Sequence, residues 1–218
     1  MTTEARPPSI RPPHTHLAPA RLGRTRLPPE QRRSQLLTCA IAAAAEHGVA
    51  RVTHAHVAER AGVSVSAVHS YFRTRDDLVG ATLAEVEAYL MTLVVEVVRQ
   101  PGTALQALTD LVARFDREAR ENADPVKVWL DWSTGFRADV WPRYLLMQER
   151  LIGAIEKLFS QGCETGQFGH ELNPRAAARL YVGGGITVAL MRFAEASERE
   201  IETVIGHLLA GFTGMDPS

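Results

Sequence analysis

Residues 53–72, THAHVAERAGVSVSAVHSYF, constrain this chain more than any other stretch. Thr53 is placed to cap a short helix whose apolar side carries Val57 and Ala61, and Gly62 supplies a tight turn. Ser64 can cap a second short helix, on which Val65, Val68 and Phe72 recur at spacings of three and four and so can pack back on the first. Helices this short are not stable alone. They need a third helix as support, and such a trio exists to present a surface. That is the arrangement of a helix-turn-helix, whose second helix enters the major groove of DNA. An ordinary helical hairpin is the competing reading.

The flanks favour DNA. Residues 1–33 hold seven arginines against two glutamates, a net charge of +5, whereas the remainder carries -6 in a chain whose total is only -1. A cationic front end on an anionic body suits a localised contact with a polyanion better than non-specific coating. Seven of the twelve prolines fall in the first 29 residues, so residues 1–28 are expected to form a disordered, basic, proline-rich arm. Arg24 and Arg26 sit at its end, where the arm can lie along phosphates or enter an adjacent minor groove.

The rest of the chain reads as helix, with no stretch alternating as a strand does. Pro29 and Glu30 open a first helix to about Glu46, and Thr74 caps a long one to about Arg99. Further helices are expected to open at Thr103, Asp124–Pro125, Pro142, Pro174 and Ser197. The expected fold class is all-α, with a helix-turn-helix domain at 29–75 and a larger helical body at 76–218. The last two helices are apolar over a wide arc, which the same helices of a second copy would cover in a homodimer. Cys39 and Cys163 lie far apart and are expected as free thiols in a reducing compartment. No apolar run approaches the length of a bilayer span, and the N-terminus lacks the apolar core of a signal peptide. A cytoplasmic protein without a membrane partner is expected.

On the second short helix, Ser64, Ser66, Ala67, His69, Ser70 and Tyr71 are the candidate DNA-facing groups, while Val65 and Val68 support packing. Ser66 and His69 can bond to base edges or phosphates, Ala67 can meet a thymine methyl, and Tyr71 suits a phosphate. Thr53 and His54 begin the supporting helix and can anchor the opposite backbone, and Arg73 can contact phosphate. Catalysis has little support. None of the eight histidines shows metal-ligand spacing, and neither a glycine-rich phosphate loop nor a nucleophile elbow is present. Neither enzyme activity nor a metal or cofactor is therefore expected. A dimeric helical scaffold or a ligand-binding protein without specific DNA recognition would leave the arginine arm unexplained.

The stretches RTRLPPEQRRSQLL (24–37), HVAERAGVSVSAVHSYFRTRDDLV (56–79) and VKVWLDWSTGFRADVWP (126–142) resemble the TetR family of transcriptional regulators, and more narrowly its vibrio quorum-sensing members of the LuxR/HapR type. The resemblance implies a homodimer on a partly palindromic, double-stranded operator, acting as repressor, activator or both. It departs from the vibrio pattern at His69 and Ser70, which implies a different operator. It also implies a pocket in the C-terminal body. Leu90 and Leu93 of the long helix would face Phe115, Trp129, Trp132 and Phe136, with Gln148 as a polar anchor. Gly185, where the vibrio proteins carry a larger side chain, would enlarge the space. Such a site would take a small, largely hydrophobic ligand, although aromatic residues at helical spacing also describe an ordinary core.

Overall fold

Side chains that take up otherwise unpaired amides decide where most of the helices begin. The computed structural model describes residues 27–136 and 138–213, and the helices among them are α1 (Pro29–His47), α2 (His54–Ala61), α3 (Val65–His69), α4 (Arg75–Val98), α5 (Ala104–Glu121), α6 (Ala123–Thr134), α7 (Trp141–Glu164), α8 (Pro174–Phe193) and α9 (Glu198–Thr213). The hydroxyls of Thr53 and Ser64 accept from the amides of His56 and Ala67 at 3.3 and 3.2 Å. Thr74 with Asp77, and Thr103 with Gln106, form reciprocal capping boxes, and Ser197 with Glu200 exchange the same pair of bonds. Gly62 adopts φ 64°, a left-handed turn between α2 and α3 that a side chain would strain. The all-α expectation holds. Arg24 and Arg26 lie outside the described residues.

The core begins on α1, where Leu36, Leu37 and Ala40 are buried together with Val57 and Val68 of the two short helices and Phe72 of the turn that follows α3. It continues along α4 through Leu83, Val86 and Leu90 into the body formed by α5 to α9, where Ile152, Ile155, Phe159 and Tyr181 are buried. Helix α4 is apolar on nearly every side because α1, α5, α6 and α7 all pack on it. In length and composition it would suffice to cross a membrane, with a mean hydropathy of 1.6, against the expectation that no run approaches that length. Its buried positions, from Leu78 to Val97, account for that composition as a core helix.

Helix α7 runs through Gly162 to Glu164, and the Phe168 ring folds back against that glycine. Helix α8 ends at Phe193, and Glu195 turns the chain with φ 57°. At that corner Arg192 donates to Asp116 on α5 through Nε (3.0 Å) and Nη2 (2.8 Å), and to Glu198 on α9. The guanidinium holds the Glu198 carboxyl below the usual carboxylate range.

Two glycines of α7 separate packing from helix propensity. A Cβ on Gly162 would sit 2.1 Å from the buried Phe168 ring, whereas one on Gly153 meets nothing within 4 Å. Gly162→Ala is expected to destabilise by about 1–3 kcal/mol through overpacking, and Gly153→Ala to stabilise by up to about 1 kcal/mol. Denaturant unfolding of the two variants checks the opposite signs.

Candidate nucleic-acid interface

Helix α3 is only five residues long, so its orientation is set by what it buries. Val68 and Phe72 are fully enclosed, and Arg33 of α1 lies over the Phe72 ring at 5.5 Å from its centroid. This leaves Ser64, Ser66, His69 and Ser70 exposed, with Ala67 and Tyr71 half-buried beside them. Their polar atoms are already organised. Ser64 Oγ and Ser66 Oγ are 2.9 Å apart, Ser70 donates to the Ala67 carbonyl at 2.7 Å, and His69 Nδ1 donates to the Arg73 carbonyl at 3.3 Å. Thr53 is half-buried and holds the start of α2, while Arg73 is exposed.

Two expectations for this surface change. Val65 does not support packing: it is 42% exposed at the first turn of α3, on the side of the serines. A spacing of three from Val68 is compatible with either placement on so short a helix, so the sequence carried no signal to separate them. His54 does not face outward either. It is 8% exposed, its Nε2 donates to the Phe72 carbonyl at 2.8 Å, and its ring stacks on His69 with centroids 3.9 Å apart. It is a structural strut under the exposed helix. Arg75, a second basic side chain at this turn, is also used internally, donating to the carbonyls of Val49, Ala50 and Val52.

The body holds a cavity among α4 to α8. It leaves about 50 Å³ in which the centre of a water-sized molecule can move. Leu90, Leu93, Phe115, Trp129 and Gly185 line it as expected, together with Tyr181, whose helical spacing in the sequence is that of any core residue. Three expected lining residues lie elsewhere. Trp132 is fully buried in the core, where its indole donates to the Val140 carbonyl at 3.0 Å and its ring meets Tyr144 edge-on. Phe136 is 63% exposed beyond the end of α6, beside Trp141. Gln148 is not among the lining residues, so the expected polar anchor is not there. The Tyr181 hydroxyl is spent on the Leu108 carbonyl at 2.5 Å, and burial pushes its phenol far above the usual tyrosine range.

The two parts touch through a directed bond: Asp131 of α6 accepts from the Val49 amide at 2.8 Å in the turn between α1 and α2. Within the body, Arg143 of α7 donates to the Gly80 carbonyl of α4 at 2.9 Å.

Residues 36–82, which span the end of α1 through the first turns of α4, match the bacterial regulatory proteins of the tetR family. The chain is 30% identical over 163 residues to the HTH-type transcriptional regulator BetI of Serratia proteamaculans, covering 70% of this chain and 74% of that protein. It is 27% identical over 196 residues to the HTH-type transcriptional regulator LuxR of Vibrio harveyi, covering 90% and 94%. Its fold matches the crystal structure of a TetR-family regulator from Agrobacterium tumefaciens with a TM-score of 0.77 at 15% identity, over 85% of this chain and all of that one. The narrower resemblance to the LuxR/HapR type does not stand. The matching solved folds are TetR-type regulators at large, and the likeness to LuxR is no higher in identity than the likeness to BetI. With a paired-helix reading head and an all-helical body, the chain belongs to the TetR family of bacterial regulatory proteins, DNA-binding transcription factors that are not enzymes.

Proposed function

We propose that this protein binds a partly palindromic, double-stranded operator as a homodimer, with α3 in the major groove, and acts as repressor, activator or both. The observation that carries the reading is the exposed strip of α3, Ser64, Val65, Ser66, His69 and Ser70, held outward by the burial of Val68 and Phe72. Serine hydroxyls and an imidazole suit base edges and phosphates, and Val65 and Ala67 suit thymine methyl groups. Tyr71, Thr53 and Arg73 surround that strip and suit the phosphate backbone. Arg24 and Arg26, a few residues before α1, are assigned to phosphates or the minor groove. The reading head is taken as residues 29–75 and the body as 76–218.

The surface of α8 supports the dimer. Ala176, Leu180, Gly183, Thr187 and Leu190 are exposed at alternating spacings of four and three, with Leu180 66% and Leu190 55% exposed. An apolar seam of that period is what a helix presents to a partner helix. The seam adjoins α9, whose exposed residues include Thr203, Gly206 and Gly211 together with Glu202 and His207. The small residues among them allow a close approach, which supports a four-helix interface of α8 and α9 from two subunits.

The cavity in the body supports a small, mainly hydrophobic ligand as the regulatory input. It borders α4, and α4 begins in the reading head, so a ligand that favours one setting of α4 would alter the spacing of the two recognition helices. By linkage, operator DNA would then alter ligand affinity by the same factor.

Selection of bound fragments from genomic DNA is expected to return sites with two half-sites about one helical turn or a little more apart. Failure to distinguish any promoter from random DNA at moderate salt would exclude specific recognition. Changing both Arg24 and Arg26 to Ala is expected to lower the log–log dependence of affinity on salt by about one unit for each phosphate that is no longer neutralised, and equal slopes would exclude that role. For the dimer, Leu180→Glu with Leu190→Glu is expected to give a folded monomer in sedimentation. A variant that remains dimeric would move the interface off α8.

A further inference from the structure

The polar hydrogens at the C-terminal end of α3 are already committed within the protein, and this limits what that end can read. His69 is exposed, and its Nδ1 lies 3.3 Å from the Arg73 carbonyl. A carbonyl oxygen only accepts, so Nδ1 carries the hydrogen, and in the neutral ring Nε2 is left as a bare lone pair. Among the described residues nothing bonds to that nitrogen. Ser70, the next residue, has a single hydroxyl hydrogen, which it gives to the Ala67 carbonyl at 2.7 Å. Its Oγ therefore also offers lone pairs to an outside partner.

The orientation of the imidazole is held from two sides. Its plane lies on His54, with centroids 3.9 Å apart and 11° between the rings. His54 is itself buried and anchored by its Nε2–H on the Phe72 carbonyl at 2.8 Å. With one face on His54 and the Nδ1 edge turned to Arg73, the other face and the edge that carries Nε2 are left for a partner outside the protein. Base edges in the major groove differ in what they offer such an acceptor. Adenine and cytosine present exocyclic amino groups, whereas guanine presents O6 and N7 and thymine presents O4. An acceptor meets the first two with a hydrogen bond and the others, like a phosphate oxygen, lone pair against lone pair. We infer that His69 Nε2, with Ser70 Oγ beside it, makes α3 select an amino base, adenine or cytosine, on the contacted strand at one position of each half-site. The inference rests on the reading of α3 as the helix that enters the major groove.

Two measurements on the full-length protein test this. The first needs no DNA: at about pH 8, where an ordinary imidazole is neutral, the ring-nitrogen resonances of His69 are expected to show the hydrogen on Nδ1. A ring that carries it on Nε2 overturns the inference whatever the protein binds. In the second, duplexes are selected from a random-sequence pool at the same pH by the wild type, His69→Ala and His69→Arg, and are sequenced. The wild type is expected to favour adenine or cytosine over guanine or thymine on one strand, at one position of each half-site, by about two- to tenfold, the range of one neutral hydrogen bond. His69→Ala is expected to lose that preference and keep those at the other positions, and His69→Arg, which offers only donors, to turn it towards guanine. If His69→Ala selects the same bases as the wild type at every position, or if the position it alters holds guanine or thymine in wild-type sites, the acceptor role is overturned while specific recognition stands. If the wild type enriches no sequence over the starting pool, specific binding itself is overturned and the inference falls with it. His69 is exposed, so neither substitution removes a core side chain of the reading head.

Discussion

The burial of Val68 and Phe72 against α1 is the contact on which the reading head depends. A helix as short as α3 has no stability of its own, so its direction is borrowed entirely from those two side chains and from the turn at Gly62. The chain then secures Phe72 twice more. His54 bonds its carbonyl from beneath, and Arg33 covers its ring. Once the inner side is fixed by packing, the outer side follows from helical geometry, and Ser64, Val65, Ser66, His69 and Ser70 have nowhere to point except outward. The stacking of His54 on His69 carries the same constraint to the outermost imidazole.

A reading head this small must also be held in a fixed relation to its body if anything in the body is to influence it. Helix α4 supplies the continuous element, capped by Thr74 at one end and buried among α5, α6 and α7 further along. Beside it runs a polar link, the Asp131 carboxylate on the Val49 amide, while within the body Arg143 holds α7 to the Gly80 carbonyl of α4. Arg75 ties the first turn of α4 to the same 49–52 loop through three carbonyls. A shift of α6 relative to α4 would strain or break the Asp131 bond, and an amide left without its acceptor is a directional penalty that apolar packing alone would not impose. The junction is thus built to distinguish relative positions of the two parts.

What the sequence made legible follows the range of the interactions concerned. Caps are local, and Thr53, Ser64, Thr74, Thr103 and Ser197 could each be read from side chains three residues apart. The strip on α3 was mostly legible too, because Val68 and Phe72 stand at helical spacing. Val65 and His54 were not, since on a five-residue helix and at a helix start the period does not determine which side is inner. The cavity was the least legible. Leu90, Leu93, Phe115, Trp129 and Gly185 converge on it, but Trp132, Phe136 and Gln148 have the same apolar or semi-polar spacing and end in a core, on the surface and away from the lining. Which aromatic side chain borders a void depends on the packing of five helices, and no short stretch of sequence encodes that.

The triple Gly183, Gly184, Gly185 shows how several such demands meet on one helix. In a helix interior each glycine is less favourable than alanine by about 1 kcal/mol, so three in succession require three reasons. Successive residues turn by about a hundred degrees, and the surroundings differ accordingly. Gly183 opens onto empty space in the exposed seam between Leu180 and Leu190. A Cβ on Gly184 would fall 2.4 Å from Leu208, so its absence sets how closely α8 and α9 approach. Gly185 lies on the cavity side, where a Cβ would make ordinary contact with Phe115 at 3.8 Å and anything larger would enter the space itself. The same turn of α8 therefore borders the proposed subunit seam, the packing of the last helix and the cavity. In the proposed reading, a molecule seated against Gly185 would press on the element that also sets the distance to a second subunit, a route from the cavity to the dimer geometry that is independent of α4.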